Sequence, residues 1–284
     1  MPNLDRLPDA ETSAIIALAC AGLAGHPGVA AAIDGVGGAL ELLELVHDAP
    51  EVTDLDGEVL HRIRVHGRPA AVCRALEATR RANLRLVFPG DEEWPIGLGD
   101  LGRGAPRVLW VAGRRRVADL NSVCITGGAH ETAGGRRHLI EIAVALLEDG
   151  WTVVSSPRAG VDATVREAIL AMRGSGVVVA HSPEALIRWG GLEEVTLFSE
   201  NPPDVPVGVR SARRAHSLLA AFASRVLVVD CDMGSPAMQT GVAAAALGRP
   251  LAVLSGAVTE GDDRLRREFS AREVQTATGL LRLL

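Results

Sequence analysis

Apolar and polar positions along the chain follow two patterns, and the change between them falls near Leu84. Before it, apolar residues recur at steps of three and four, the spacing of one helix face. That spacing predicts a helix capped by Thr12 or Ser13 and running to Leu23, a second over 39–46 and a third over 70–82. Gly25-His26-Pro27-Gly28 and Gly35-Val36-Gly37-Gly38 break the run between them, because Gly and Pro interrupt helices. Paired glycine turns between short helices resemble a SAM or helix-hairpin-helix module. Residues 1–83 therefore read as a small helical domain.

After Leu84 the pattern changes to short, continuously apolar runs alternating with amphipathic segments. Residues 108–112, 122–126, 152–155, 177–180, 195–198, 226–230 and 251–254 read as strands, and 135–148, 162–172 and 236–247 as helices. Strands apolar on both faces belong to parallel sheets covered on both sides, and strand–helix alternation is the signature of that architecture. The predicted fold class is α/β: a Rossmann-like, doubly wound, mostly parallel sheet over 84–284, preceded by the helical domain.

Composition narrows the chemistry. The 284 residues are 48% hydrophobic and 23% charged, with 31 Gly, no Tyr and only 3% aromatic residues. The longest apolar stretch, 14–25, is shorter than the roughly 20 residues of a membrane span. Acidic rather than basic residues precede it, unlike a secretory leader, so a cytoplasmic protein with no membrane partner is expected. Cys20, Cys73, Cys124 and Cys231 show neither metal-ligand nor disulfide spacing, and three lie in apolar runs. No metal is expected. All 29 basic side chains are Arg, which excludes Lys-based Schiff-base and Walker-type chemistry and leaves guanidinium forks for any anion. Charge is uneven: residues 1–60 carry 11 acids against Arg6 alone, whereas 61–116 carry 12 Arg against five acids. Overall acidity, net −6, thus hides a basic middle, and local patches rather than net charge decide nucleic-acid contact.

Ligands of doubly wound sheets bind beyond the carboxyl ends of the strands. Three such ends are rich in small residues: Thr126-Gly127-Gly128-Ala129-His130, Ser155-Ser156-Pro157-Arg158-Ala159-Gly160 and Asp230-Cys231-Asp232-Met233-Gly234-Ser235. Gly and Ser let backbone N–H groups approach an anion, and a helix N-terminus adds a favourable dipole. Gly127, Gly128, Ser155, Ser156, Gly160, Gly234 and Ser235 are therefore candidate phosphate-binding residues, with His130 and His216 as side chains able to reach a phosphate or a base. Asp230 and Asp232 read as caps. The chain has no Gly-x-Gly-x-x-Gly fingerprint, no P-loop and no nucleophile–base pair, so no cofactor and no catalysis are expected.

In order, these segments resemble the DNA-processing protein A family (DprA, also called Smf). Trp94-Pro95-x-x-Leu98-x-Asp100-Leu101 and Pro106-x-Val108-Leu109-Trp110-Val111-x-Gly113 resemble that family's entry into its Rossmann-like domain. Ile125-Thr126-Gly127-Gly128-Ala129 stands where the family has Val-Gly-Ser-Arg. Ser155 to Ala163 is similar to its Ser-Gly-Leu-Ala-x-Gly-Ile-Asp-Ala signature, and Ser199-Glu200-Asn201-Pro202-Pro203, with Pro206, to its Ser-Glu-Tyr-Pro-Pro segment. Val226 to Asp230, Ser235 with Thr240, Gly248-Arg249-Pro250 and Ser255-Gly256 follow its closing strands.

The resemblance implies a dimeric, non-catalytic protein that binds single-stranded DNA and hands it to the RecA recombinase in natural transformation. Arg136, Arg137, Arg158, Arg213 and Arg214 would supply positive charge, and Trp151, Trp189, Phe198 and Phe222 are the aromatic candidates for stacking. Two departures stand out: the family's loop Arg falls at Ala129, and its Arg-Asn-Arg run has become Arg213-Arg214-Ala215-His216-Ser217. The alternative is a nucleotide-binding sensor or hydrolase of the related LOG type on the same fold. LOG enzymes carry Pro-Gly-Gly-x-Gly-Thr-x-x-Glu, and the matching stretch from Met233 to Thr240 lacks the catalytic Glu.

Overall fold

The computed structural model describes residues 8–113, 121–130, 133–173, 176–179, 195–203, 205, 209–254 and 259–283. Glu131, Thr132, Ala180, Trp189, Pro206, Ser255 and Gly256 lie outside them, as does the side chain of Arg213.

Five helices come first: α1 (Ala10–Cys20), α2 (Pro27–Val36), α3 (Ala39–Asp48), α4 (Gly57–His66) and α5 (Pro69–Arg81). α1 starts two to three residues before the expected cap. Asp9 precedes Thr12 and accepts its backbone N–H at 2.8 Å, so Asp9 takes the N-cap. The N-cap of α3 is Gly38, which has no capping side chain. Glu11 of α1 fills that role across 28 positions, accepting the amides of Ala39 and Leu40 at 2.8 and 2.9 Å.

Among the described residues nine strands form one sheet: β1 (Arg85–Val87), β2 (Leu109–Ala112), β3 (Ser122–Gly127), β4 (Thr152–Ser155), β5 (Gly176–Val179), β6 (Val195–Ser199), β7 (Arg225–Val229), β8 (Leu251–Leu254) and β9 (Arg272–Val274). Their order is β1-β2-β6-β5-β4-β3-β7-β8-β9. The β1–β2 and β2–β6 pairs are antiparallel and the rest parallel, in keeping with the predicted α/β class. Among the described residues the helices after β3 are α6 (Ala133–Glu148), α7 (Val161–Ala171), α8 (Val209–Phe222), α9 (Pro236–Ala246), α10 (Glu260–Phe269) and, following β9, α11 (Ala277–Leu281).

Strand residues alternate strictly between two cores, as the period of two demands. Val123, Ile125, Val153, Leu227 and Val229 face one layer with Leu139 and Ile142 of α6, Val165 and Ile169 of α7, and Leu280 of α11. Cys124, Val154, Val226 and Val228 face the other, with Leu218 and Leu219 of α8, Ala237 and Met238 of α9, and Leu265 of α10. α1 serves two clusters. Ile16, Ala17, Ala19 and Cys20 join the first sheet layer, together with Val72, Ala75 and Leu76 of α5. Ala14, Leu18 and Ala21 pack instead with Val29, Leu42, Val46, Val59 and Ile63. Trp110, 1% exposed, satisfies its indole N–H on Thr79 Oγ1 of α5 at 2.9 Å.

Candidate functional site

The chain leaves β3 through α6 toward β4 and leaves β7 through α9 toward β8, and α6 and α9 lie on opposite faces of the sheet. β3 and β7 are neighbours. Their carboxyl ends therefore diverge into the crevice expected where strand order reverses. The loops after β3, β4 and β7 rim it, and they are the three that the sequence singles out.

The glycines at the roots of the loops after β3 and β4 are packed so closely that a side chain does not fit. A Cβ on Gly128 would sit 2.3 Å from the Asp230 carbonyl oxygen, and one on Gly160 would sit 2.2 Å from the Gly128 oxygen. Gly160 also takes φ +74°, a region that side chains disfavour. Gly127 and Gly128 do not offer their amides to a ligand. Gly127 N–H donates to Asp162 at 3.2 Å and Gly128 N–H to the Val229 carbonyl at 3.0 Å. These glycines bring loops together, and exposed positions further along carry the unspent donors. No hydrogen bond joins the amides of Ala129, His130, Ala159 or Gly160 to any described residue, and Ala129, His130 and Ala159 are exposed.

Asp162, in the first turn of α7 and fully buried, is the hub of the site. Its carboxylate accepts from Ser156 Oγ at 2.6 Å, Ser156 N–H at 3.1 Å, and Thr126 Oγ1 and Gly127 N–H at 3.2 Å. Arg158 Nη2 closes the ring with an ion pair at 3.2 Å and a hydrogen bond to Thr126 Oγ1, while Arg158 Nε donates to Ser156 Oγ at 2.9 Å. Buried charges need such pairing and hydrogen bonding. Ser155 and Ser156 are thus buried supports: Ser155 Oγ donates to the Ile125 carbonyl at 3.0 Å. Burial, and then the Asp162 charge, pushes the Cys124 thiol up. Burial and Asp262 do the same to Cys231, so neither is a thiolate nucleophile at neutral pH.

Several further expectations resolve differently. Arg214 is held by Glu200 through Nε and Nη2 at 2.7–2.9 Å, and donates to the carbonyls of Gly25 and Gly104 at 2.7 and 2.8 Å. It ties the helical segment to the loop after β6 rather than lining the crevice. Arg136 donates to Thr164 Oγ1 and Glu167 of α7 at 2.8 and 2.9 Å. Arg137 pairs with Glu141. His216 is buried between α8 and α9, with Nδ1 3.4 Å from Thr240 Oγ1. Ser235 caps α9, accepting from Met238 N–H at 3.2 Å, and Gly234 is exposed at the loop tip. Phe198 and Phe222 pack against each other in the core, ring centroids 4.9 Å apart and planes tilted by 54°, and Trp151 lies under Arg225.

Asp162 and Thr126, which bind the loops together, stand inside the quoted motifs but carry no spacing signal of their own. Among the described residues no cluster of His, Cys, Asp and Glu could hold a metal, and no helix is long and apolar enough to cross a membrane.

A family model described as DNA recombination-mediator protein A matches residues 85–284. A DNA processing protein DprA of Mycobacterium tuberculosis is 33% identical over 211 residues, covering 65% of this chain and 52% of the relative. Protein Smf of Synechocystis is 26% identical over 177 residues, covering 58% and 44%. The chain thus spans about half the length of the curated relatives it matches. Among solved structures, DprA of Streptococcus pneumoniae superposes with a TM-score of 0.73 at 19% identity, over 94% of this chain and 95% of that one. A DNA processing protein A of Helicobacter pylori, described as binding single-stranded DNA, gives 0.60 at 19% identity over 69% and 94%. At these identities the structural likeness concerns the fold.

Proposed function

The chain belongs to the DNA recombination-mediator protein A family, and from that premise we propose that it binds single-stranded DNA across the β3–β4–β7 crevice. The observation that carries the reading is the set of unspent donors on that rim: the amides of Ala129, His130, Ala159 and Gly160 beside the guanidinium of Arg158. Backbone amides and Arg forks are sequence-independent phosphate ligands. A strand gripped by its phosphates keeps its bases outward and available for pairing. That suits a protein which hands the strand to the RecA recombinase, the role we propose here, acting as a homodimer in the cytoplasm.

Fluorescence anisotropy of labelled oligo-dT at two salt concentrations tests the reading, with duplex DNA and free nucleotides as competitors. Salt-sensitive binding that duplex competes for poorly is expected. Absence of oligo-dT binding at low salt would overturn it, and displacement by free nucleotide at low concentration would favour a nucleotide sensor.

A further inference from the structure

We propose that the loop 156–160 is a receptor for a single phosphate group and that Asp162 is the positioning residue that builds it; the inference rests on the reading above. Arg158 spends one edge of its guanidinium internally, Nε on Ser156 Oγ and Nη2 on Thr126 Oγ1 and Asp162. Its Nη1 makes no hydrogen bond to any described residue, and the side chain is 27% exposed. A guanidinium pinned along one edge keeps its remaining donors aimed, so a ligand gains contacts without ordering a free arginine.

The backbone of the same loop is aimed from below. Arg166 Nη1 donates to the carbonyls of Ser156 and Arg158 at 2.6 and 2.7 Å. N–H and C=O point opposite ways across a trans peptide, and no cis bond occurs among the described residues. The Ala159 amide therefore points away from Arg166. Asp162 fixes the whole assembly, since it holds Ser156, Gly127 and Arg158 at once.

The ligand chemistry is a tetrahedral phosphate oxyanion, supplied by a phosphodiester of single-stranded DNA or by a free nucleotide. Asp162→Asn separates positioning from plain electrostatics by the sign of its effect. Removing a negative charge beside an anion site should tighten binding if only Coulomb attraction acts. Loss of positioning should weaken it. Oligo-dT affinity at low salt is expected to fall about tenfold, the worth of one well-made contact, with the salt slope unchanged because Arg158 remains. Arg158→Ala, measured on the folded fraction, should lower the slope by about 0.7, one single-strand phosphate contact. Equal or tighter binding by Asp162→Asn overturns the proposal.

Should Asp162→Asn fail to fold, Thr126→Val removes one anchor of Arg158 without burying a charge, and it should weaken binding about threefold. Unchanged affinity in that variant also overturns the proposal. Thermal stabilisation of the wild type by dTMP and by inorganic phosphate is the second arm. If oligo-dT does not bind but dTMP stabilises the wild type and not Arg158→Ala, the receptor stands and the DNA reading falls. If neither probe acts, both fall.

Discussion

Truncating Arg214 to alanine should destabilise the fold while leaving the crevice intact. The guanidinium makes three hydrogen bonds to the Glu200 carboxylate and one each to the carbonyls of Gly25 and Gly104. The Glu200 side chain is 5% exposed, so the variant buries an uncompensated charge beside two unsatisfied carbonyls. Breaking a buried pair by removing one partner costs about 3–5 kcal/mol. Because 25% of the Arg214 side chain is exposed, water reaches part of the gap and the lower end, about 3 kcal/mol, applies. For a chain of this size each kcal/mol moves Tm by roughly 2–4 °C, which gives a fall on the order of 10 °C. Urea and thermal unfolding of the wild type, Arg214→Ala, Glu200→Gln and the double variant measure this as a cycle. The double variant should be more stable than Arg214→Ala alone, since it removes the stranded charge. Strict additivity, or a loss below about 1 kcal/mol, the surface-pair range, would refute the buried-staple account. Well below its Tm, Arg214→Ala should bind oligo-dT like the wild type; a shallower salt slope would return Arg214 to the nucleic-acid surface.

Asp262 gives a pH prediction. Burial raises its pKa above the ordinary 3.8, so the stability it contributes is complete below 3.8 and is lost as pH rises through the raised value. The geometry agrees. Thr259 Oγ1 lies 2.5 Å from the Cys231 carbonyl and 2.8 Å from Asp262 Oδ2, and its single proton serves only one of them. Asp262→Asn, whose amide can donate to Thr259, should match or exceed wild-type stability at pH 7, with the gap closing as pH falls toward 4. Urea midpoints across that range decide it, and an equal deficit at every pH would count against it. Gly128→Ala should lower stability by roughly 1–3 kcal/mol through overpacking and weaken oligo-dT binding with it, because its Cβ collides with the Asp230 carbonyl. Gly35→Ala, in α2 with nothing within 4 Å of the added Cβ, should instead stabilise by about 0.5–1 kcal/mol. Thermal melts of the two glycine variants, run side by side, separate crowding from helix propensity.

The central strands were legible because burial on both faces leaves continuous apolar runs, and β3, β4, β7 and β8 fall within a residue of their predicted bounds. β9 was not, since Arg272 and Glu273 are exposed and only Val274 is buried. α10 was hidden for a related reason: it is rich in Asp, Glu and Arg and buries only Gly261, Asp262 and Leu265. The three glycine-rich loops were located correctly, but the use of their glycines was not readable. Gly128 and Gly160 are there for contacts with the Asp230 carbonyl and with each other, and such distances leave no trace in local pattern. Arg214 looks like any basic helix residue until its partners are known, and those lie 14, 110 and 189 positions away. Asp162 stood in a quoted motif, yet its work depends on three segments meeting at one carboxylate.

The two-sided burial of α1 constrains how the chain comes to be folded. As the nascent chain lengthens, Ala14 and Leu18 find their partners early, in α2 to α4. The opposite side, Ile16 and Ala19, shares its cluster with Val72, Ala75 and Leu76 of α5, which follow within about 60 residues. At about 5–20 residues per second of translation, those partners emerge within roughly 3–12 seconds. Both sides of α1 thus find cover among near neighbours in the chain, the kind of local contact that forms fastest. The helical segment is in place before most of the strands that share its cluster have been synthesised, and the sheet is laid against a surface already made.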